Sequence, residues 1–138
     1  MLRLSIAVAI LFSASLHAAP VAITVNGITN TNGSVIISLF TQSGSWDRER
    51  PDQTMRMNPL RRGTTTMTVD LPPGEYAFFL FNDIDNDGKL KQGPLGMPAE
   101  PYAFSNNVKL KFSKPTWQQL KFMVGADGAT QTVRLVNP

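Results

Sequence analysis

The chain has 138 residues, with 13 lysines and arginines against 10 aspartates and glutamates, one histidine and no cysteine. That length suggests one domain, and a formal charge of +3 is too small to argue for nucleic acid, although the sequence pI is about 9.5. The missing cysteines exclude disulfides, thiolate metal sites and cysteine nucleophiles.

The first segment reads as an export signal. Met1-Leu2-Arg3 supplies a short positive end, Leu4 to Phe12 is almost wholly apolar, and Ser13 to Ala19 turns small and semi-polar. The apolar run is too short to cross a hydrocarbon core of about 30 Å as a helix, and no second run follows it. With no cysteine after the run, a lipid-anchored lipoprotein is excluded. Cleavage is expected after Ala18, because a cut after Ala19 would place Pro20 behind the scissile bond. The signal peptide is then 1–18, and 19–138 forms a domain of 120 residues, large enough to bury roughly two thirds of its unfolded surface. Cleavage also removes Arg3 and His17, which leaves 12 basic and 10 acidic side chains and a charge of +2.

Beyond the signal, apolar residues recur at every second position between turn residues. Val21, Ile23 and Val25 share one strand face before Asn26-Gly27 breaks the run, and Val35, Ile37 and Leu39 share the next. Met67, Val69 and Leu71 alternate with Thr66, Thr68 and Asp70. Pro72-Pro73-Gly74 then turns the chain into Tyr76 to Phe81, apolar on both faces and so a central strand. Val108, Leu110 and Phe112 alternate with Lys109 and Lys111. Leu120, Phe122 and Val124 form a sixth strand, Val133 and Leu135 a seventh. No segment carries a convincing 3.6-residue repeat. The expectation is an all-β, antiparallel, seven-stranded sandwich of Greek-key, transthyretin-like or Ig-like type.

Two connections exceed what a sandwich needs, Gln42 to Gly63 and Asn82 to Asn107, and function is expected there. The second contains Asp83-Ile84-Asp85-Asn86-Asp87-Gly88-Lys89-Leu90. Carboxylates at every second position followed by glycine can aim three oxygens at one point, and the spacing matches the first half of a calcium loop. The second half departs from it: Lys91 and Pro94 stand where an EF-hand needs ligands, so an EF-hand is rejected. A different Ca²⁺ loop would have Asp83, Asp85 and Asp87 as ligands, with Glu100, or a carbonyl from Gln92 to Leu95, folding back as the closing ligand. The competing reading is a turn whose Asp and Asn side chains accept nearby backbone N–H groups.

The first long connection carries Arg48, Arg50, Arg56, Arg61 and Arg62 interleaved with Asp47, Glu49 and Asp52. Mixed signs favour a solvated loop over an anion-binding one, with Trp46, Met55 and Met57 pinning it to the sandwich. Tyr102 and Phe104 read as plugs for an open end of the sandwich rather than as pocket walls. The expected mature chain has neither His nor Cys, which removes histidine-based triads and general bases. Only carboxylate chemistry is left to an enzyme.

Several strings resemble a bacterial family, domain of unknown function 2141, over about Gly33 to Val136. They are Leu71-Pro72-Pro73-Gly74-Glu75-Tyr76-Ala77, the acidic loop from Asn82 to Leu90, and Gly96-Met97-Pro98-Ala99-Glu100-Pro101-Tyr102-Ala103-Phe104-Ser105-Asn106-Asn107. The chain departs from the family pattern at Asn82, Lys91 and Ala103. The resemblance implies a small exported protein, and its Leu-Pro-x-Gly-x-Tyr turn is similar to that of transthyretin-like sandwiches. The reading is an exported binding or structural module, not an enzyme, with a candidate Ca²⁺ loop, an envelope or extracellular partner, and no membrane span after cleavage. The alternatives are a carboxylate-dependent hydrolase of envelope glycans and a module adhering to anionic surfaces.

Overall fold

The computed structural model describes residues 17–138, so most of the expected signal peptide lies outside the described residues. The first strand, β1, runs Ala19–Ile28 and begins one residue past the expected cut. It is followed by β2 (Ser34–Phe40), a one-turn helix α1 (Ser43–Asp47), β3 (Gln53–Met57), β4 (Gly63–Leu71) and β5 (Gly74–Asp83). The rest is β6 (Tyr102–Phe104), α2 (Trp117–Leu120), β7 (Phe122–Val124) and β8 (Ala129–Arg134).

Eight strands form two sheets among the described residues. One has the order β4-β1-β8, the other β3-β2-β5-β6, with β7 pairing the start of β5. The all-β expectation holds. The finer expectation of seven wholly antiparallel strands does not, because β1 and β8 run parallel from Val21↔Ala129 to Asn26↔Arg134.

The strand expected at Val108 to Phe112 is absent; this stretch is irregular. The edge it would need is taken: β6 pairs β5, and Tyr102 exchanges backbone hydrogen bonds with Val136 at 3.1 and 2.8 Å. Val108 and Leu110 still pack inward, while Phe112 stands in solvent. Leu120 ends α2 instead of starting a strand. Thr116 caps that helix through a reciprocal bond with Gln119. The two short strands β3 and β6 lie inside the connections that read as loops.

Period-two alternation explains the first core. Val21, Ile23 and Val25 of β1 meet Val35, Ile37 and Leu39 of β2 and Phe78 and Leu80 of β5 between the sheets. Outside, Thr24 and Thr66 share a hydroxyl hydrogen bond of 2.9 Å on the solvent face of the smaller sheet. A second core covers the opposite face of the larger sheet, where Ile36, Phe40, Ala77, Phe81, Tyr102 and Phe104 pack with Trp46 and Trp117 of the two helices. The molecule therefore has three layers, and β5 is apolar on both faces because both are covered. Tyr102 and Phe104 belong to this second core as strand residues, and do not plug an end.

Two local features fix the turns. The Tyr76 hydroxyl donates to the Pro72 carbonyl at 2.7 Å, clamping the Pro72-Pro73-Gly74 turn. Gly33, at φ +69, lets the chain entering β2 pass close to β5: a Cβ there would lie 1.9 Å from the Asp83 carbonyl oxygen. Tyr76→Phe should cost about 1 kcal/mol in urea melts, the worth of one hydrogen bond. Gly33→Ala should cost about 3 kcal/mol, by steric overlap added to left-handed strain. Gly63→Ala, at φ +88 with open space around it, should lose clearly less; equal losses would contradict the close approach.

Candidate functional site

The acidic loop leaves β5 at its last residue. Asp83 is fully buried (0% exposed), whereas Asp85 and Asp87 are exposed. The turn is built on Asp83: its carbonyl accepts the Asn86 N–H at 3.3 Å, and its carboxylate accepts the N–H groups of Asp87 (3.2 Å) and Gly88 (2.9 Å). Asp87 in turn accepts the Lys89 N–H at 2.9 Å. Asn86 and Gly88 both have positive φ, at 56° and 75°, which folds the loop back on itself. The side chain-to-backbone turn expected from Asp and Asn chemistry is therefore present.

The same fold brings the three carboxylates together, with one oxygen from each of Asp83, Asp85 and Asp87 within 4.8 Å of the others. Their electrostatics follow from this crowding. Burial pushes the Asp83 carboxyl above its ordinary value, partly offset by the Gly88 and Asp87 N–H groups, while Asp85 and Asp87 push it further up. Asp87 shifts down, chiefly through the Lys89 N–H. Glu100 is buried (5% exposed), and its carboxylate accepts the Lys91 N–H at 3.0 Å. Burial raises its pKa first, and the charges of Asp85, Asp83 and Asp87 raise it again. The negative charge of Asp83, Asp85 and Asp87 thus reaches Glu100. Neither ion pair among the described residues, Lys114–Glu49 at 3.4 Å or Lys121–Glu75 at 3.3 Å, involves these four carboxylates. Of the cations, Lys89 lowers Asp87 by its charge, and Arg56 donates to Asn86 Oδ1 at 3.1 Å and to Ser34 Oγ.

The string ending in Ser105-Asn106-Asn107 has a different job. Ser105 Oγ accepts the Phe78 N–H at 3.1 Å and donates to the Leu120 carbonyl at 2.7 Å, tying β5 to α2. Asn106 pairs reciprocally with Gln131 (2.8 and 3.1 Å), and Asn107 Oδ1 accepts the Arg134 N–H at 3.0 Å. These polar residues join the two sheets. Arg56 and Arg61 line a cavity of 530 Å³ beside β3 and β4, and Arg48 follows α1. Two of the five arginines of this connection thus share one cavity.

Sequence reasoning missed one feature. A groove of 390 Å³ lies on the outer face of the larger sheet, lined by Trp46, Phe79 and Phe104 and by segments of both long connections. Its signal was present as apolar residues stranded in polar loops, Leu95, Met97 and Phe112.

The carboxyl shifts set a pH dependence. Asp83 and Glu100 have folded values above their unfolded ones, so their contribution is complete below the ordinary carboxylate range and is lost as pH rises through the raised values. Asp87 and Asp52 have lowered values and act oppositely, losing their contribution as pH falls. In EDTA-containing buffer the melting temperature should rise as pH falls from neutral toward the ordinary carboxylate range and fall again below that range. Glu100→Gln should flatten the rise. A melting temperature that falls steadily from neutral pH downward would contradict these assignments.

No curated protein and no solved structure matches the chain. A family profile does match, over residues 23–133, most of the domain and all of the acidic loop. The chain therefore belongs to the bacterial family described as uncharacterized protein conserved in bacteria, DUF2141.

Proposed function

We propose that this protein is a binding module of the bacterial envelope or its surroundings, exported by its N-terminal signal, whose acidic loop is completed and stabilised by Ca²⁺. The observation that carries the reading is the convergence of Asp83, Asp85 and Asp87 on one point within 4.8 Å. Asp83 is buried, and no ion pair among the described residues answers the group. Ca²⁺ is a hard cation that takes several oxygens in flexible geometry. It would compensate the burial that chiefly raises Asp83 and Glu100, and the neighbouring acidic charges that raise Glu100 further. Glu100, the closing ligand expected from the sequence, is not among the carboxylates gathered within 4.8 Å, and its Oε2 is held by the Lys91 N–H, so it would close the shell only through a bridging water or by moving its side chain.

The separation also weighs on the hydrolase alternative. A glycosidase keeps its two carboxyls roughly 5–9.5 Å apart, on opposite sides of a scissile bond. Oxygens within 4.8 Å of one another suit a single cation better. A cation here would also brace the adjoining segment. The loop runs into a hairpin in which Ala99 donates to the Lys91 carbonyl and Gly93 to the Met97 carbonyl, each at 2.7 Å. That hairpin forms one wall of the groove.

Calorimetric titration of the purified protein with Ca²⁺ should give one site with Kd of about 10⁻⁴–10⁻³ M, the range of extracellular modules. At a concentration about 100 times Kd, Ca²⁺ should stabilise the fold by about 2.7 kcal/mol. The double variant D85N/D87N, changed only at exposed positions, should fold and lose both effects. No heat and no thermal shift in the parent protein would end the reading.

A further inference from the structure

Among the described residues four large apolar side chains are exposed: Leu95, Met97, Phe112 and Met123. Three of the four border the same groove. Leu95 (101% exposed) and Phe112 (107%) are stripped of all cover, and Met97 is 42% exposed. Leu95 adds a backbone cost, since its φ of 60° lies in the left-handed region that bulky side chains avoid. It sits at the tip of the hairpin closed by the Gly93–Met97 and Ala99–Lys91 hydrogen bonds, so the tip is held out rather than frayed. Apolar side chains gathered in this way around a concavity mark a binding surface.

The groove's shape and chemistry narrow the occupant. Its 390 Å³ falls in the range of about 300–1,000 Å³ typical of small-molecule sites. Phe79, Phe104 and Trp46 give it aromatic walls, and the Phe79 and Phe104 rings meet tilted, with centroids 5.1 Å apart. Its charges do not cancel. Lys114 is already engaged, 2.7 Å from the Trp46 carbonyl, 3.4 Å from Glu49 and 4.3 Å above the Trp46 ring. Glu49 is thereby answered, and Lys111 remains as the one lining charge without an ion pair among the described residues.

We propose that this groove binds a single-chain amphiphile, with its alkyl tail over Phe79 and Phe104 between Leu95 and Phe112 and its anionic head against Lys111. The concave aromatic floor suits a chain-like tail better than a flat protein surface. The single unanswered lysine selects the sign of the head. The inference stands apart from the Ca²⁺ reading, because none of Asp83, Asp85, Asp87 and Glu100 lines the groove.

The test uses the purified protein with monomeric dodecanoate, its cationic counterpart dodecyltrimethylammonium, and uncharged dodecanol, followed by calorimetry and by the emission of Trp46 in a W117F background. Dodecanoate should bind one to one and shift the emission, with the cationic probe about ten-fold weaker. K111Q should abolish the preference for the anion while dodecanol binding is kept. The variant L95S/M97S/F112S should weaken every probe about ten-fold or more, by loss of apolar contact area. It should still fold and melt cooperatively, because Leu95 and Phe112 are fully exposed and Met97 is 42% exposed. Absence of dodecanoate binding, or binding that the triple variant leaves intact, would overturn the proposal. So would sedimentation with phosphatidylglycerol vesicles without binding of monomeric dodecanoate, which would make the patch a membrane-docking surface. A concentration-dependent dimer dissolved by the triple variant, again without dodecanoate binding, would overturn it in favour of a contact between copies of this chain.

Discussion

The burial of β5 on both faces is the constraint on which the rest of this molecule depends. A strand covered on one side only alternates apolar with polar residues; Tyr76 to Phe81 cannot, because Phe78 and Leu80 face the smaller sheet while Ala77 and Phe81 face the helices. Each large side chain buried this way contributes about 1.5–3 kcal/mol, and both layers lean on the same backbone. Ser105 makes the dependence explicit, with one hydroxyl joined to the Phe78 N–H inside the strand and to the last turn of α2. The acidic loop inherits its position from this arrangement. It begins where β5 ends, with Asp83 as the last residue of the strand and the Asp87 and Gly88 N–H groups folded back onto its carboxylate.

The third layer explains why the protein has long connections at all. The residues 42–63 and 84–120 supply two strands of the larger sheet, β3 and β6, and, through Trp46, Leu90, Val108, Leu110, Trp117 and Leu120, the cover of its outer face. Trp46 shows how this is done. It meets Phe40 edge-on at 5.1 Å and Phe104 at 6.2 Å, and its indole N–H donates to the Pro115 carbonyl at 2.8 Å, linking both connections across the same sheet. The cover is incomplete, and the gap in it is the apolar groove. Structural and functional parts of the chain are therefore interleaved: the wall of the groove is the hairpin that the acidic loop launches.

Much of the sandwich was legible because its signal is local. Alternation in Val21–Val25, Val35–Leu39 and Met67–Leu71 specified strands whose partners need not be known. The acidic triad was legible for the same reason, since ligands at every second position of one turn depend on nearby residues alone. What escaped was non-local. Val108, Leu110 and Phe112 carry a clean strand pattern, yet no free edge receives them, because Tyr102 is already paired with Val136. The short strands β3 and β6 were hidden by their length and by flanking charges or prolines. The parallel pairing of β8 with β1 leaves no mark in either strand's composition. The groove was the least visible, because it exists only where three separated segments meet over the outer face of the larger sheet.

Residue-resolved amide hydrogen exchange measures the central claim directly. Double-sided burial predicts that the hydrogen-bonded amides of Ala77 to Phe81 exchange most slowly in the protein, with those of 108–113 near the rates of open loops. Strong protection across Val108 to Phe112, or exchange in β5 faster than in the one-sided strands β1 and β4, would contradict a three-layered molecule built around that strand.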